Sequence, residues 1–158
     1  MPPPTPPTPP TLLVDADGCP VKDEVYRVAR RYGLPVILVA NTQIGGPPMA
    51  GVQRVVVPAG MDAADDWIAE RAGARDIVVT ADIPLASRCV AAGARVLSPR
   101  GRVFTPDDVG DALATRDLLA SLREGGVTTG GPPPFTPRDR SKFLQKMDEL
   151  VQAALRAG

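Results

Sequence analysis

Short runs of apolar residues alternate with stretches of helical periodicity along most of the chain. The apolar runs predict five strands, over residues 11–14, 34–40, 54–57, 77–80 and 95–97. Helical spacing and capping residues predict helices over 21–32, 61–72, 84–92 and 105–124, and a last one from 136 onward. Strands that are apolar throughout and separated by helices are typical of a parallel sheet covered on both faces. The pattern therefore predicts a three-layer α/β domain built on a parallel sheet.

The last third of the chain has a different pattern, because it is helical and contains no apolar strand. Thr105-Pro106 and Thr136-Pro137 each place a capping threonine before a proline, which is typical of a helix start. Between the two helices lies the segment 125–134, GGVTTGGPPP, which is too rich in Gly and Pro for regular structure. The final helix carries one apolar stripe, which comprises Phe143, Met147, Leu150, Val151, Ala154 and Leu155. We expect a helical C-terminal extension that follows the sheet domain.

The chain begins with MPPPTPPTPPT, residues 1–11, which carries no charged side chain and almost no apolar one. Such a segment buries too little surface to offset the entropy lost on ordering, so this composition predicts a disordered leader. Residues 12–156 then have the length of one domain with a single core.

The composition excludes several kinds of chemistry. The chain contains no histidine, which excludes Ser-His-Asp and Cys-His mechanisms and His-ligated zinc. Its 18 basic and 18 acidic side chains cancel, which argues against a generally basic surface for nucleic acid. Cys19 and Cys89 are isolated, no secretory signal is evident, and no apolar run approaches the roughly 18 residues of a membrane-spanning helix. We expect a cytoplasmic protein with reduced cysteines and no membrane contact.

Acidic residues follow three of the predicted strands where each strand ends. Asp15 and Asp17 follow the first strand and Asp82 the fourth, and the third is followed by Asp62, Asp65 and Asp66. Because the carboxyl ends of parallel strands meet at one edge of a sheet, we expect these carboxylates to lie close together. Mg²⁺ or Mn²⁺ prefers such oxygen ligands and relieves their repulsion, and Thr80 is placed to orient one of them. The simpler alternative is that each aspartate only caps the helix that follows it.

The same acids allow a second enzymatic interpretation. The segment 12–18, LLVDADG, looks like the first motif of haloacid-dehalogenase-type phosphatases, in which one Asp attacks phosphate and the next acts as acid and base. These would be Asp15 and Asp17. Two features depart from the motif: Cys19 stands where Thr or Ser is expected, and no Lys occurs between Lys22 and Lys142.

Several long blocks together resemble the YaiI/YqxD family, also called UPF0178. They begin with VDADGCPVKDEVYRVARRYGLPVILVAN and continue with VPAGMDAADDWIAE, VVTADIPLASR, TRDLLASLREGG and GGPPPFTPRDRSKF, and the likeness spans roughly residues 12–150. The family is functionally uncharacterised. The resemblance implies a fold similar to that of PIN-domain nucleases.

The PIN-like pattern can be followed residue by residue. PIN nucleases carry an Asp at the end of the first strand, a second in a helix reading D-x-x-I-A, and a strand ending in T-x-D. Asp15, Asp65 and the pair Thr80 and Asp82 match that order. The expected helical Glu between the first and third acids is missing, because residues 32–61 contain neither Asp nor Glu. Glu24 or Asp17 is then the substitute.

These observations lead to the hypothesis of a Mg²⁺- or Mn²⁺-dependent PIN-type nuclease that acts on RNA or another single-stranded nucleic acid. Asp15, Asp65 and Asp82 would hold the metal, Asp17 would assist catalysis, and Asp66 would be an alternate ligand. Substrate phosphates would be contacted by Arg116, Arg138, Arg140 and Lys142, which otherwise form a solvated helix face. The non-enzymatic alternative is a nucleic-acid- or protein-binding module with an incomplete site.

Two further groups are expected to be structural only. Arg27, Arg30 and Arg31 lie on the first predicted helix and are interpreted as surface residues. Cys19 is interpreted as a small buried residue rather than a reactive thiol.

Overall fold

The computed structural model describes residues 9–58, 60, 62–131 and 133–157. Within these residues six strands and five helices follow one another. They are β1 (Leu12–Asp15), α1 (Lys22–Tyr32), β2 (Val36–Ala40), β3 (Val52–Val56), α2 (Ala63–Arg71), β4 (Ile77–Val79), α3 (Ile83–Ala91), β5 (Arg95–Leu97), β6 (Val103–Phe104), α4 (Pro106–Glu124) and α5 (Pro137–Ala157). The predicted alternation of strands and helices is confirmed.

The strands form one sheet in the order β3-β2-β1-β4-β5-β6. The first five are parallel, and β6 pairs antiparallel with β5. The chain builds outward from β1 in one direction to β3 and then in the other from β4, so the topological switch point lies between β1 and β4. The mostly parallel α/β fold is as predicted, whereas β6 was not predicted because two residues carry no readable period.

The sheet has a helical layer on each face, which explains why its strands are apolar throughout. Leu12 and Val14 of β1 join a core with residues of α1 and α5, whereas Leu13 joins a core with residues of α2, α3 and α4. Side chains that alternate between two buried faces leave no polar position within a central strand.

Helix α5 is packed through the apolar stripe that its sequence predicts. Phe143, Met147 and Val151 are fully buried against the α1 side of the sheet. The stripe is wrong at Leu155, which is 42% exposed although the preceding Ala154 is buried, because a turn of about 100° per residue carries Leu155 away from the core.

Helix ends follow the capping residues. Gly33 ends α1 in the left-handed conformation, with φ of 66°, and its N–H bonds to the carbonyl of Ala29. The Thr105 hydroxyl caps α4 by accepting from the N–H of Asp108. Thr136 and Asp139 cap α5 reciprocally, as each side chain accepts from the other residue's N–H.

The folded body begins before the first strand. Pro10 is buried, and the carbonyl of Thr11 accepts a hydrogen bond of 3.0 Å from the N–H of Ile77. The prediction of a disordered leader otherwise falls on residues 1–8, outside the described part of the chain. Among the described helices, none has the length and apolar character needed to cross a membrane.

Candidate functional site

The Thr80 side chain bridges the two strands that flank the switch point. Val14 of β1 pairs with Val79 of β4, so Asp15 and Thr80 come next on neighbouring strands. The buried Thr80 hydroxyl donates to Asp15 Oδ2 at 2.9 Å and accepts from the N–H of Asp82 at 3.0 Å. One hydroxyl can donate once and accept at the same time, so both bonds are compatible. Asp15 and Asp82 are thereby held in one network.

Helix capping accounts for Asp82 but not for Asp62. Asp82 Oδ1 accepts from the N–H of Leu85 at 2.8 Å, which makes it the side-chain cap of α3. Asp62 occupies the corresponding position before α2 and forms no side-chain capping bond. The capping alternative therefore applies to Asp82, while the other acids at this edge need another explanation.

Asp65 lies in the first turn of α2 and is only partly exposed. Burial raises its pKa to about 6, and the negative charges of Asp82, Asp15 and Asp62 add to that shift, whereas Arg88 opposes it. The carboxylates from three strand–helix junctions thus act on one another, as expected from the parallel sheet. Negative charge is in excess at this edge.

The pKa of Asp15 is also raised. Burial is the main cause, the hydrogen bond from Thr80 opposes it, and the charges of Asp82 and Asp17 add to it. A carboxylate that is desolvated yet hydrogen-bonded is fixed in orientation while its charge remains poorly compensated.

Asp17 and Asp66 are occupied by other partners. Asp17 Oδ2 accepts from the N–H of Asn41 at 2.7 Å, and its Oδ1 accepts from the Thr42 hydroxyl at 3.0 Å. No local pattern indicates these bonds, because they follow from the register of β1 and β2 that pairs Asp15 with Val39. Asp66 Oδ1 forms an exposed ion pair of 2.7 Å with Arg88. Both residues therefore have local structural roles beside the Asp15, Asp65 and Asp82 carboxylates.

In the described ranges no group of three or more Cys, Asp or Glu side chains is arranged to hold a metal ion. The donors at the edge are nevertheless carboxylate oxygens, the ligands that Mg²⁺ and Mn²⁺ prefer.

Two buried oxygens near this edge have no hydrogen-bond partner among the described residues: Glu24 Oε2 and Asn41 Oδ1. Glu24 is one of the two predicted substitutes for the missing helical Glu, the other being Asp17, and its Oε1 pairs with Arg140 at 2.8 Å. Asn41 was missed by the sequence argument because an amide carries no charge pattern. Its position directly after β2 is the signal that could have identified it.

Arg140 is exposed, but its guanidinium is engaged by partners within the protein. Besides pairing with Glu24, its guanidinium donates to the carbonyl of Pro20 at 2.9 Å. The Arg100 guanidinium contacts the same region of the protein, because it donates to the Asp139 carboxylate and to the carbonyls of Pro133 and Pro134. These contacts hold the start of α5 against the body of the protein.

Among the described contacts, none joins the other predicted phosphate-binding residues to Asp15, Asp65 or Asp82. Arg138 is exposed at the start of α5. Lys142 packs its chain beside Gly101, where an added Cβ would lie 2.6 Å from Lys142 Cγ. Arg116 lies on the exposed side of α4, 3.6 Å from Asp117, in a hollow of about 480 Å³.

Comparison with known proteins gives one consistent relationship. The family model described as "Uncharacterized BCR, YaiI/YqxD family" matches residues 13–153. A UPF0178 protein of Nitrobacter winogradskyi is 56% identical over 146 residues, which cover 92% of this chain and 93% of the relative. Others are from Bradyrhizobium sp. (57% over 146 residues; 92% and 89% covered) and Brucella ovis (55% over 148; 93% and 92%). No solved structure matches the chain, so the likeness to PIN nucleases stays a prediction.

Proposed function

The chain belongs to the YaiI/YqxD family, whose function is uncharacterised, and we propose that it is a divalent-metal-dependent phosphodiesterase acting on RNA or another single-stranded nucleic acid. The observation that carries the proposal is the Thr80 hydroxyl that joins Asp15 and Asp82 across the switch point of the sheet, with Asp65 within electrostatic reach of both. Open α/β sheets bind their ligands in the crevice at that point.

The donor chemistry of the edge suits a hard divalent cation. Asp15, Asp65 and Asp82 supply carboxylate oxygens, and the raised pKa of Asp65, caused by burial and neighbouring negative charge, marks a surplus that a cation relieves. When bound, such an ion activates water and stabilises the departing oxygen of a phosphodiester. Metal binding requires the three carboxylates to move closer together, because they form no metal-binding group among the described residues in the present conformation.

The protein's own residues prepare this site. Thr80 fixes the orientation of Asp15, and the capping bond of Asp82 uses only its Oδ1 atom. Glu24 Oε2 is a buried carboxylate oxygen without a hydrogen-bond partner among the described residues, and it takes the place of the helical Glu that PIN nucleases carry.

A phosphomonoesterase that uses Asp15 as nucleophile is less well supported. That mechanism requires Asp17 to exchange protons as acid and base. Both Asp17 oxygens already accept hydrogen bonds from the segment after β2. The diesterase needs no such role for Asp17.

Turnover on a panel of substrates tests the proposal. The purified chain should cleave single-stranded RNA in Mn²⁺ or Mg²⁺, lose activity in EDTA, and leave a phosphomonoester unchanged. A covalent phosphoryl group trapped on Asp15 would instead establish the phosphatase. Binding of RNA without cleavage under all metal conditions would establish a non-catalytic module.

A further inference from the structure

A groove lies between α1 and the segment that joins β2 to β3. Its volume is about 380 Å³. The side chains that matter for its chemistry are Lys22, Tyr26, Arg30 and Arg54, with Asp23 at its margin. We name this feature the α1 groove. Its lining holds three cationic groups and one acidic group, so it has a positive charge in a protein whose overall charge is zero.

Arg54 builds one wall of the α1 groove. Its guanidinium donates to the carbonyl of Gly46 at 2.9 Å and to that of Pro47 at 2.6 Å, which fixes the segment after β2. Both acceptors are neutral, so the charge of Arg54 is not cancelled. Lys22 and Arg30 form no ion pair with any carboxylate in the part of the chain that the structure describes.

Tyr26 gives the α1 groove an aromatic surface among these cations. The side chain is partly buried against the core, which fixes the ring. Burial raises the pKa of its phenol, and the positive charge of Arg54 opposes that shift, so the ring is neutral at physiological pH. Aromatic faces between cationic groups are the usual means of holding single-stranded nucleic acid, because bases stack while phosphates meet the cations.

The α1 groove adjoins the carboxylate edge through Cys19. Burial raises the pKa of this thiol, and among the nearby charges Lys22 lowers it while Asp15 and Glu24 raise it. Tyr26 is in turn affected by Cys19. Residues 16–21 join Asp15 at the end of β1 to Lys22 at the start of α1, so only one short loop separates the carboxylate edge from the lining of the groove.

We propose that the α1 groove binds a single-stranded nucleic acid, with Lys22 and Arg30 contacting backbone phosphates and Tyr26 stacking on a base. This inference rests on the proposed function and deepens it, because the positive groove lies beside the acidic edge rather than within it. A substrate that uses both must extend beyond the cleaved phosphate. The cationic surface for substrate is thus on α1 and β3, instead of at the start of α5, where the sequence suggested it.

Binding of a fluorescently labelled single-stranded RNA, measured by anisotropy in metal-free buffer, tests the inference. Lys22→Gln/Arg30→Gln should weaken binding roughly tenfold and lower the salt slope by about 0.7 for each lost phosphate contact. The matched control, Arg27→Gln/Arg31→Gln, removes the same charge from exposed positions outside the groove and should bind like the wild type. Tyr26→Leu should weaken binding roughly tenfold, and Tyr26→Phe should not.

The outcomes separate this inference from the proposed function. Equal losses in both double variants, or wild-type affinity in Lys22→Gln/Arg30→Gln, overturn the groove as a binding site. If that happens while the wild type still hydrolyses a small phosphodiester with Mn²⁺, the proposed function stands alone. If binding depends on the groove but no phosphodiester is cleaved, the groove stands and the proposed function fails. Urea unfolding of each variant identifies losses that come only from misfolding.

Discussion

The hydroxyl of Thr80 donates to Asp15 Oδ2 across 2.9 Å, joining residues that are 65 positions apart in the chain. Because β1 and β4 are neighbours at the switch point, this one bond links the two halves of the sheet where a ligand is expected. The same bond also fixes the orientation of Asp15, whose carboxylate is repelled by the neighbouring carboxylates.

Thr80→Val tests this link, since valine retains the shape of threonine and removes its hydroxyl. The N–H of Asp82 loses its acceptor, which should lower the free energy of unfolding by about 1–3 kcal/mol. Asp15 loses a bond that lowers its pKa, so its pKa should rise further and the acid limb of activity should move to higher pH. Thr80→Ser should retain both properties. Urea unfolding and a pH–rate profile provide the measurements, and a valine variant that matches wild type in both would remove Thr80 from the site.

Asp65→Asn should stabilise the protein in a pH-dependent way. The pKa of Asp65 is raised by burial and neighbouring charge to about 6, against an ordinary value of 3.8. A raised carboxyl pKa destabilises the folded protein as pH increases from about 4 to 6. The variant should therefore exceed the wild type by roughly 1 kcal/mol above pH 6, allowing for solvent screening, and the difference should vanish toward pH 4.

The pH dependence of urea unfolding checks that difference. Glu70→Gln, on the exposed side of the same helix, is the matched control and should show no comparable change with pH. A constant difference in unfolding free energy between Asp65→Asn and wild type at every pH would show that burial and neighbouring carboxylates do not raise the pKa of Asp65.

Asp82→Asn and Asp82→Ala separate capping from charge. Asparagine retains an oxygen for the N–H of Leu85, whereas alanine removes it and should cost about 1 kcal/mol through the lost helix cap. Both variants remove a negative charge that raises the pKa of Asp65, so that pKa should fall in each. Carboxyl NMR titration measures the pKa, and thermal unfolding measures stability. An unchanged Asp65 pKa in both variants would show that Asp82 does not belong to the group.

Arg140→Gln should destabilise the protein rather than act only on binding. Its partner Glu24 has a side chain only 13% exposed, so loss of the arginine leaves a largely buried carboxylate without its cation. We expect a loss of about 1 kcal/mol, because the arginine itself is well solvated. Arg138→Gln, at an exposed position nearby, should change stability by less than about 0.5 kcal/mol. If the two variants unfold alike, the ion pair between Arg140 and Glu24 does not stabilise the folded protein.

Much of the fold is predictable because its determinants are local. Apolar runs identify β1, β4 and β5, and Gly33 and Thr105 identify helix ends through their own backbone and side-chain chemistry. β6 is not predictable because only pairing with β5 makes two residues a strand.

The candidate site is predictable only as far as topology suffices. Pairing of β1 with β4 brings Asp15 and the start of α3 at Asp82 to one edge of the sheet, whereas the position of Asp65 also depends on how α2 packs. The partners of Asp17 depend on strand register, and the pairing of Arg140 with Glu24 joins residues 116 positions apart. Neither set of contacts has a local signal in the sequence. The sequence therefore suggests a phosphate-binding role for Arg140, whereas the folded structure pairs it with Glu24.

Cleavage of single-stranded RNA in Mn²⁺, compared between the wild type and Asp15→Asn, tests whether the protein is a metal-dependent phosphodiesterase that uses Asp15. Asp15 is the carboxylate that Thr80 orients at the switch point, and asparagine retains an oxygen for that hydrogen bond while removing the charge. We expect Mn²⁺-dependent cleavage by the wild type and its loss in a variant that still folds and binds RNA. Cleavage that persists in Asp15→Asn, or that is indifferent to EDTA in the wild type, would contradict that expectation.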